Sequence, residues 1–181
     1  MHKKILLIST CKEKLHELEF VKPVEEILKN GKLDYFTKNY KDIEKEDLDN
    51  YEKIIICGTS LKDNDFLNYI ANFEWIKETR KPILGICAGM QIIGLVFGGR
   101  INNKIEIGFY SEDFKKEFLG LMGKQEVYHL HNNFVDFPKE FEEFTNSNIP
   151  QAVRHKNKEI YGVLFHPEVR NKEVILDFCK K

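Results

Sequence analysis

Short apolar runs alternate with segments of helical periodicity along the first half of the chain. Each run predicts a strand, because it is short and is followed by polar or turn-forming residues. The run at residues 53–57 is a nearly unbroken β-branched stretch, which is typical of a strand buried on both faces of a parallel sheet. The predicted strands are residues 4–9, 33–37, 53–57 and 82–86.

Apolar residues at helical spacing lie between these strands. The first such segment covers residues 15–30 and ends at Gly31, a residue type that commonly follows a helix. Pro23 falls inside it, so we expect a kink or a late helix start there. The acidic stretch 42–50 is expected to be mobile. The other predicted helices are residues 65–78 and residues 88 to about 97.

The alternation of strands and helices indicates an α/β fold with an open, mostly parallel central sheet flanked by helices on both faces. After Gly99 the pattern becomes hairpin-like and predicts an antiparallel extension in the C-terminal half. The strands expected there are near residues 105–110, 126–130, 151–155 and 160–165, with a final helix at residues 172–180. The length favours one domain over residues 1–181.

Composition and charge exclude several classes of function. The chain has 28 basic and 29 acidic residues, so it lacks the positive excess that binds nucleic acid or anionic membranes. The apolar start at residues 5–8 is too short for a signal peptide, and no run approaches a membrane span. Four scattered cysteines form neither a CxxC pair nor a zinc pattern. We therefore expect a cytoplasmic protein without a metal or a cofactor.

The segment Gly85-Ile86-Cys87-Ala88-Gly89 places a thiol between two glycines where a predicted strand meets a predicted helix. Ligands of parallel sheets bind at the carboxyl ends of strands, and this spacing is that of a nucleophile elbow. The glycines allow close backbone packing, and the helix start favours thiolate over thiol. The amide of Ala88 would point toward an oxyanion formed on a carbonyl that Cys87 attacks. The alternative interpretation is a buried free cysteine, which is common.

A histidine and a glutamate follow another predicted strand in the segment YGVLFHPEV. Pro167 holds His166 in an extended conformation and keeps Glu168 out of a helix, so both side chains can project from one short segment. A cysteine nucleophile needs a base, and that base needs a carboxylate to fix its tautomer. Taken alone, this segment is more often a surface turn with an incidental histidine. Its coincidence with the elbow favours a triad of Cys87, His166 and Glu168.

The pair GICAGMQ and GVLFHPEV resembles the class I glutamine amidotransferases, whose pattern is G-x-C-x-G-x-Q followed later by G-V-x-F-H-P-E. The resemblance covers essentially the whole chain and implies the flavodoxin-like fold of that family. It implies that Cys87 is the nucleophile, His166 the general base and acid, and Glu168 its orienting partner. It also implies that Gln91, one helical turn beyond Cys87, helps to hold the substrate. The alternative for Gln91 is an ordinary helix-surface residue.

The family also supplies an oxyanion donor from a glycine-rich loop after the third strand. Here Gly58 is kept, whereas Thr59 and Ser60 depart from the usual residues and tolerate unusual dihedral angles less well. The resemblance implies an oxyanion hole formed by Gly58, Thr59 and Ala88. The substrate-binding residues that it implies are Ser60, Gln91, His131 and Asn132.

His129 and His131 stand two apart and would share one face of a strand. In the resemblance, His131 matches the histidine segment that grips the amino-acid end of glutamine, and His129 is interpreted as structural. A metal pair is conceivable, but the sequence offers no clear third ligand, so we predict no metal site. Asn133 stands where an acidic residue is usual, and Leu164 stands where glutamine is usual.

The resemblance implies hydrolysis of the glutamine side-chain amide to glutamate and ammonia through a cysteine thioester. The ammonia would pass to a separate synthetase subunit. Residues 106–108, Glu-Ile-Gly, and the GVLFHPEV ending most resemble the free-standing glutaminase subunit of archaeal two-chain GMP synthases, whose partner is the ATP-dependent GMP synthase subunit. Two alternatives remain open: a self-sufficient γ-glutamyl amide or peptide hydrolase, and a catalytically silent regulatory subunit.

Overall fold

A computed structural model describes residues 4–181. It contains a seven-stranded sheet and a separate two-stranded hairpin. The strands are β1 (Lys4–Ser9), β2 (Asp34–Asn39), β3 (Lys53–Ile56), β4 (Ile83–Ile86), β5 (Arg100–Phe118), β6 (Leu121–Asp136), β7 (Phe141–Glu143), β8 (Ala152–His155) and β9 (Ile160–Val163). In the sheet order β2-β1-β3-β4-β9-β8-β7, the first five strands are parallel, and β8 and β7 add antiparallel pairs. The predicted mostly parallel sheet with an antiparallel extension is therefore present.

Helices cover both faces of the sheet. They are α1 (Glu17–Phe20), α2 (Lys22–Asn30), α3 (Lys45–Asn50), α4 (Trp75–Glu78), α5 (Ala88–Val96) and α6 (Glu173–Lys180), and 3-10 helices cover Lys14–His16, Tyr40–Asp42 and Asp65–Phe73. Pro23 lies in the first turn of α2, where its missing N–H is not needed, so the late helix start is confirmed. None of the helices in the described chain is long and apolar enough to cross a membrane.

The side chains of β1 divide the core into two layers. Ile5 and Leu7 pack with α2 and α6, whereas Leu6 and Ile8 pack with α4 and α5. This alternation follows from the two-residue period of a strand, and both faces are apolar because helices cover both. Leu164 is fully buried in the second layer, so its departure from the expected glutamine serves the core.

Two local predictions need correction. The stretch 42–50 is ordered: helix α3 begins with a capping box in which the side chains of Glu44 and Asp47 accept each other's backbone N–H. Lys38 also contacts Asp47 at 2.7 Å. At the end of α2, Gly31 keeps a right-handed φ of −74°, and Lys32 takes the left-handed conformation at φ +55°.

The hairpin of β5 and β6 is much longer than the predicted strands at 105–110 and 126–130. Its strands have 19 and 16 residues and pair antiparallel from Arg100 with Asp136 to Phe118 with Leu121. Two register shifts interrupt the pairing, between Asn103 and Glu106 and between Phe114 and Phe118. Strand β7 was not predicted. The hairpin brings the histidine segment of β6 over the carboxyl edge of the sheet.

Candidate active site

The corner between β4 and α5 holds Cys87 in an unusual backbone conformation. Cys87 has φ +49° and ψ −103°, a region that residues with a Cβ rarely adopt. A Cβ at Gly89 would lie 2.2 Å from the backbone oxygen of Ile56, and one at Gly85 would lie 2.6 Å from the backbone of Gly89. Both glycines are therefore required by close backbone packing, as the elbow pattern predicts.

Strand pairing brings His166 to the same corner. Strand β9 is the parallel neighbour of β4, with Ile86 opposite Val163, and the Cys87 N–H donates to the Val163 carbonyl at 2.8 Å. The turn after β9 carries His166 and Glu168. A Cβ at Gly58 would lie 2.9 Å from Cε1 of His166 and 3.3 Å from Cβ of Cys87, so these two side chains flank the same glycine.

His166 and Glu168 form a buried pair. Nδ1 of His166 lies 2.7 Å from Oε1 of Glu168, and both side chains are 1% exposed. Nε2 of His166 makes no hydrogen bond to the described residues and is the nitrogen left for the Cys87 thiol. The Phe20 ring packs against the imidazole with 5.6 Å between centroids. The histidine is thus fixed from two sides.

Electrostatics favours the charged form of this histidine. Burial alone lowers the pKa of His166, but the carboxylate of Glu168 and the thiol of Cys87 outweigh it and hold the pKa well above its usual value. An imidazolium next to a cysteine stabilises the thiolate. The Cys87 Sγ lies 3.7 Å from the Leu130 carbonyl of β6. His166 thus has a carboxylate on Nδ1 and Cys87 close by, an arrangement compatible with a nucleophile, a base and an orienting carboxylate.

The loop after β3 is held by an aspartate that the sequence analysis did not single out. Oδ2 of Asp63 accepts from the Thr59 hydroxyl and the Lys12 N–H, both at 2.7 Å, and Oδ1 accepts from the Asp65 N–H at 3.2 Å. Thr59 and Ser60 both keep negative φ, so their departure from glycine causes no backbone strain. One sequence feature could have indicated this role: Asp63 lies four residues beyond Thr59, inside a polar loop.

A small cleft of about 230 Å³ opens next to Cys87. It brings together every predicted oxyanion and substrate residue except Gly58, which lies behind Cys87 against His166. The lining residues also include several that were not predicted. The full lining is Thr59, Ser60, Leu61, Asp63, Asn64, Phe66, Cys87, Ala88, Gln91, Leu130, His131 and Asn132.

Hydrogen bonds fix three polar side chains of the cleft. Gln91 is buried, and its Nε2 donates to the Asn133 carbonyl at 3.0 Å. Nδ2 of Asn132 donates to the Leu61 carbonyl at 2.8 Å, which joins β6 to the loop after β3. Nε2 of His131 lies 3.0 Å from Oε2 of Glu106. Burial and the neighbouring His129 lower the pKa of His131 to about 4, against the opposing effect of Glu106, so the ring is neutral at pH 7.

The elbow and the His-x-Glu turn meet at one sheet edge, and comparison with known proteins identifies the family of the chain. The family model for glutamine amidotransferase class-I matches residues 21–177. The chain belongs to this family. The predicted resemblance and enzyme class, a glutamine amidotransferase, are confirmed.

Several amidotransferase relatives are similar in sequence. A glutamine-hydrolysing GMP synthase subunit from Methanobrevibacter smithii is 36% identical over 125 residues, which cover 60% of this chain and 65% of that protein. The corresponding protein from Methanococcus aeolicus is 39% identical over 114 residues, covering 56% and 61%. The matches thus span somewhat less than two thirds of these relatives.

Solved structures share the amidotransferase fold. A putative GMP synthase subunit from Thermoplasma acidophilum has a TM-score of 0.88 and 23% identity, covering 99% of this chain and 94% of that one. A glutamine amidotransferase from Thermotoga maritima has a TM-score of 0.73 and 22% identity, covering 93% and 77%. At these identities the likeness concerns the fold, and it confirms the predicted fold class.

Proposed function

We propose that this chain hydrolyses the side-chain amide of L-glutamine to glutamate and ammonia, with Cys87 as the nucleophile. The observation that carries the proposal is the position of Cys87 at a glycine-flanked corner beside the buried His166–Glu168 pair. A cleft lined by polar residues, among them Gln91, His131 and Asn132, opens on the same cysteine.

The reaction begins when the Cys87 thiolate attacks the carboxamide carbon and forms a carbon–sulfur bond. The carbon–nitrogen bond then breaks, and the imidazolium of His166 gives its proton to the departing nitrogen, which leaves as ammonia. Water attacks the resulting γ-glutamyl thioester, with its proton taken by His166, and releases glutamate and the free thiol. Glu168 holds the His166 tautomer throughout.

Two backbone amides would stabilise the tetrahedral oxyanion. One belongs to Ala88 at the start of α5, and the other comes from the loop at Gly58 and Thr59. Each such donor typically contributes about 3 kcal/mol to transition-state stabilisation. Ser60, Gln91, His131 and Asn132 would bind the rest of the glutamine, since all four line the cleft.

The ammonia would pass to a separate synthetase chain. Because similar proteins are named as GMP synthase subunits, the favoured ammonia acceptor is the ATP-dependent GMP synthase subunit. Alternate residues of β5 present large apolar side chains to solvent: Ile105, Ile107 and Phe109 are 70%, 52% and 56% exposed. Ile107 lies opposite Leu130, which lines the cleft. We propose that the partner docks on this apolar strip, beside the cleft.

We also propose a cytoplasmic location. All four cysteines are free and buried, which suits a reducing compartment. The proposed pathway, the synthesis of a nucleotide, belongs to the same compartment.

The test is glutamate release by the purified chain and by Cys87→Ala, with glutamine, asparagine and a γ-glutamyl peptide as substrates. Release from glutamine alone that disappears in Cys87→Ala is the expected result. Turnover of the peptide without turnover of glutamine would overturn the proposal in favour of a γ-glutamyl hydrolase.

If the chain turns over none of the three substrates, a labelling experiment decides between the remaining interpretations. A thiol-reactive glutamine analogue should then label Cys87, which would support a glutaminase that works only with its partner. Failure of the analogue to label would contradict the proposal in favour of a silent regulatory role.

A further inference from the structure

A cluster of buried polar side chains lies behind the cleft, and most of it has no role in the proposed reaction. His129 and His131 face the same side of β6, and Glu106 of β5 pairs with His131. The two histidine side chains are 0% and 1% exposed, and that of Glu106 is 13% exposed. His131 borders the cleft, whereas Glu106 lines a separate cavity of about 640 Å³. The cluster therefore separates two spaces.

His129 has one ring nitrogen with an unused lone pair. Its Nε2 lies 3.1 Å from Oε1 of Glu112, and an ionised carboxylate can only accept, so Nε2 carries the proton. Nδ1 is buried without a hydrogen-bond partner among residues 4–181 and lies 3.8 Å from Oε2 of Glu106. Nδ1 of His129 is thus a buried nitrogen without a hydrogen-bond partner in the described chain, beside a carboxylate oxygen that accepts from Nε2 of Gln151 at 2.8 Å. A cation bound there would remove the free-energy cost of burying this nitrogen without a partner.

The third atom of the cluster completes a ligand set. Nε2 of His131 lies 3.0 Å from the same Oε2 of Glu106, and one donor atom from each of the three residues lies within 4.8 Å of the others. Tetrahedral zinc with bonds of 2.0–2.2 Å separates its ligand atoms by roughly 3.3 Å. Oε2 of Glu106 lies 3.0 Å from Nε2 of His131 and 3.8 Å from Nδ1 of His129, one distance below that value and one above it. By the same rule as for His129, Nε2 of His131 donates to Glu106 when no metal is bound. To bind a metal through Nε2, His131 would move its proton to Nδ1, an atom without a hydrogen-bond partner in the described part of the chain.

The charges of the cluster also favour a cation. The side chains of Glu106 and Glu112 are 13% and 10% exposed, and within residues 4–181 neither forms an ion pair with a lysine or arginine. Lys104 lines the outer cavity with them but contacts neither carboxylate as an ion pair. Gln151 donates to Glu106 at 2.8 Å and orients the carboxylate. In the described chain, the hydrogen-bonding neighbours of these two carboxylates are thus histidine rings, Gln151 and Ser147, and not lysine or arginine.

We propose that Glu106, His129 and His131 bind a divalent transition-metal ion, zinc being the one that best suits this ligand set, with the fourth position open to water. Glu112 would orient His129 as the outer carboxylate of a carboxylate–histidine–metal arrangement. The ion would fix His131, so its occupancy would change the shape of the cleft wall. This inference stands apart from the proposed glutaminase reaction, because metal binding is measured without turnover.

The experiment uses the full chain carrying Cys87→Ser, so that the cleft thiol cannot bind metal. After removal of metal by a chelator, equilibrium dialysis against zinc and elemental analysis should find about one ion per chain. Cobalt in place of zinc should give the d–d absorption of a nitrogen- and oxygen-ligated ion, without a thiolate charge-transfer band.

Three substitutions and one matched control decide the assignment. Glu106→Gln and His129→Gln should abolish stoichiometric binding, and Glu112→Gln should weaken it about 10- to 100-fold. His155→Gln removes a buried histidine of β8 outside the cluster and should leave the stoichiometry at one.

Circular dichroism without metal verifies that each variant is folded, and zinc should raise the melting temperature only in chains that retain the ligands. Absence of binding by the parent chain would overturn the proposal. Equal binding by a folded His129→Gln variant, or a cobalt spectrum with thiolate ligation, would also overturn it.

Discussion

At the scale of single residues, the chemistry depends on how His166 is held between Glu168 and Cys87. The imidazolium persists to a higher pH than usual because the carboxylate stabilises it, and the active thiolate–imidazolium pair is lost as pH rises through the raised pKa. Nδ1 has no hydrogen-bond partner other than Glu168 in the described chain, so this carboxylate is the one group that holds that nitrogen.

As pH rises, the Glu168→Gln variant should therefore lose glutaminase activity at a lower pH than the parent chain does. The amide removes the negative charge and lowers the pKa of His166, so the ion pair disappears earlier as pH rises. We expect kcat/KM for glutamine to fall by about 10²–10⁴-fold. The measurement is the pH dependence of kcat/KM for glutamate release, because the proton of the His166 imidazolium is needed by the departing nitrogen. Glu126→Gln, on the surface and paired with Arg170, is the control, and an unshifted alkaline limb in Glu168→Gln would refute the assignment.

Gly89 is the residue at which added volume should be least tolerated. A Cβ there would lie 2.2 Å from a backbone oxygen, which cannot move as a flexible side chain can. We expect Gly89→Ala to lower the free energy of unfolding by about 1–3 kcal/mol, measured by denaturant titration, and to abolish activity. Gly31→Ala is the matched control, since its φ is ordinary and its nearest neighbour is the end of the Leu176 side chain. Equal stability of both variants would contradict this account.

At the scale of elements, the loop after β3 replaces glycine flexibility with side-chain anchoring. Asp63 ties the loop to itself through Thr59 and to the loop after β1 through Lys12. The backbone amides of the loop are thereby fixed in place.

Asp63→Asn should lower kcat more than it raises KM. The amide nitrogen cannot accept from both donors that now share Oδ2, so the loop amide shifts from the oxyanion. Because one oxyanion donor contributes about 3 kcal/mol, the fall in kcat should reach at most about 10²-fold. Asp65→Asn is the control on the same loop, since its carboxylate contacts Tyr40 and Lys41 instead. A change confined to KM would show that Asp63 acts on substrate binding.

Elements with a strong local signal could be predicted from the sequence, and those fixed by distant contacts could not. The buried run at β3 and the elbow at Cys87 each determine their own conformation. Helix α3 was missed because its capping box is made of the same acidic residues that indicate a mobile segment. The hairpin was underestimated because most residues of β5 are exposed, and because polar residues such as His129, His131 and Asn133 occupy buried positions of β6.

The residues of the site also divide into those that could be predicted from the sequence and those that could not. Cys87, His166 and Glu168 carry motifs, whereas the parallel pairing of β4 with β9 was not predicted, because the strand near residues 160–165 was expected in the antiparallel extension. Asp63 has no motif of its own, and the motif at residues 106–108 does not indicate what Glu106 contacts, because neighbours of both residues come from loops and strands tens of residues away. The pairing of Glu106 with His131 depends on the hairpin register, which no sequence pattern specifies.

At the scale of the whole molecule, the exposed apolar strip of β5 distinguishes the hairpin side from the opposite sheet edge. Phe109→Ser should leave glutamate release by the isolated chain unchanged and should weaken its stimulation by an archaeal ATP-dependent GMP synthase subunit. Loss of a central aromatic contact typically costs more than about 1 kcal/mol of binding, so the half-stimulating concentration should rise at least about fivefold.

Phe36→Ser is the matched control for this prediction, because Phe36 is 46% exposed on β2 at the far edge of the sheet. Stimulation should be unchanged in that variant. Equal weakening by both substitutions would show that the strip of β5 is not the docking surface.

The backbone angles of Cys87 have a consequence for how such a chain would change if its activity were no longer under selection. A side chain in that region costs about 1–3 kcal/mol relative to a glycine, which adopts it freely. Cys87→Gly should therefore unfold at higher denaturant concentration than Cys87→Ala, and a Cys87→Gly no more stable than Cys87→Ala would contradict this. A chain selected for stability alone would therefore gain from a glycine at this corner.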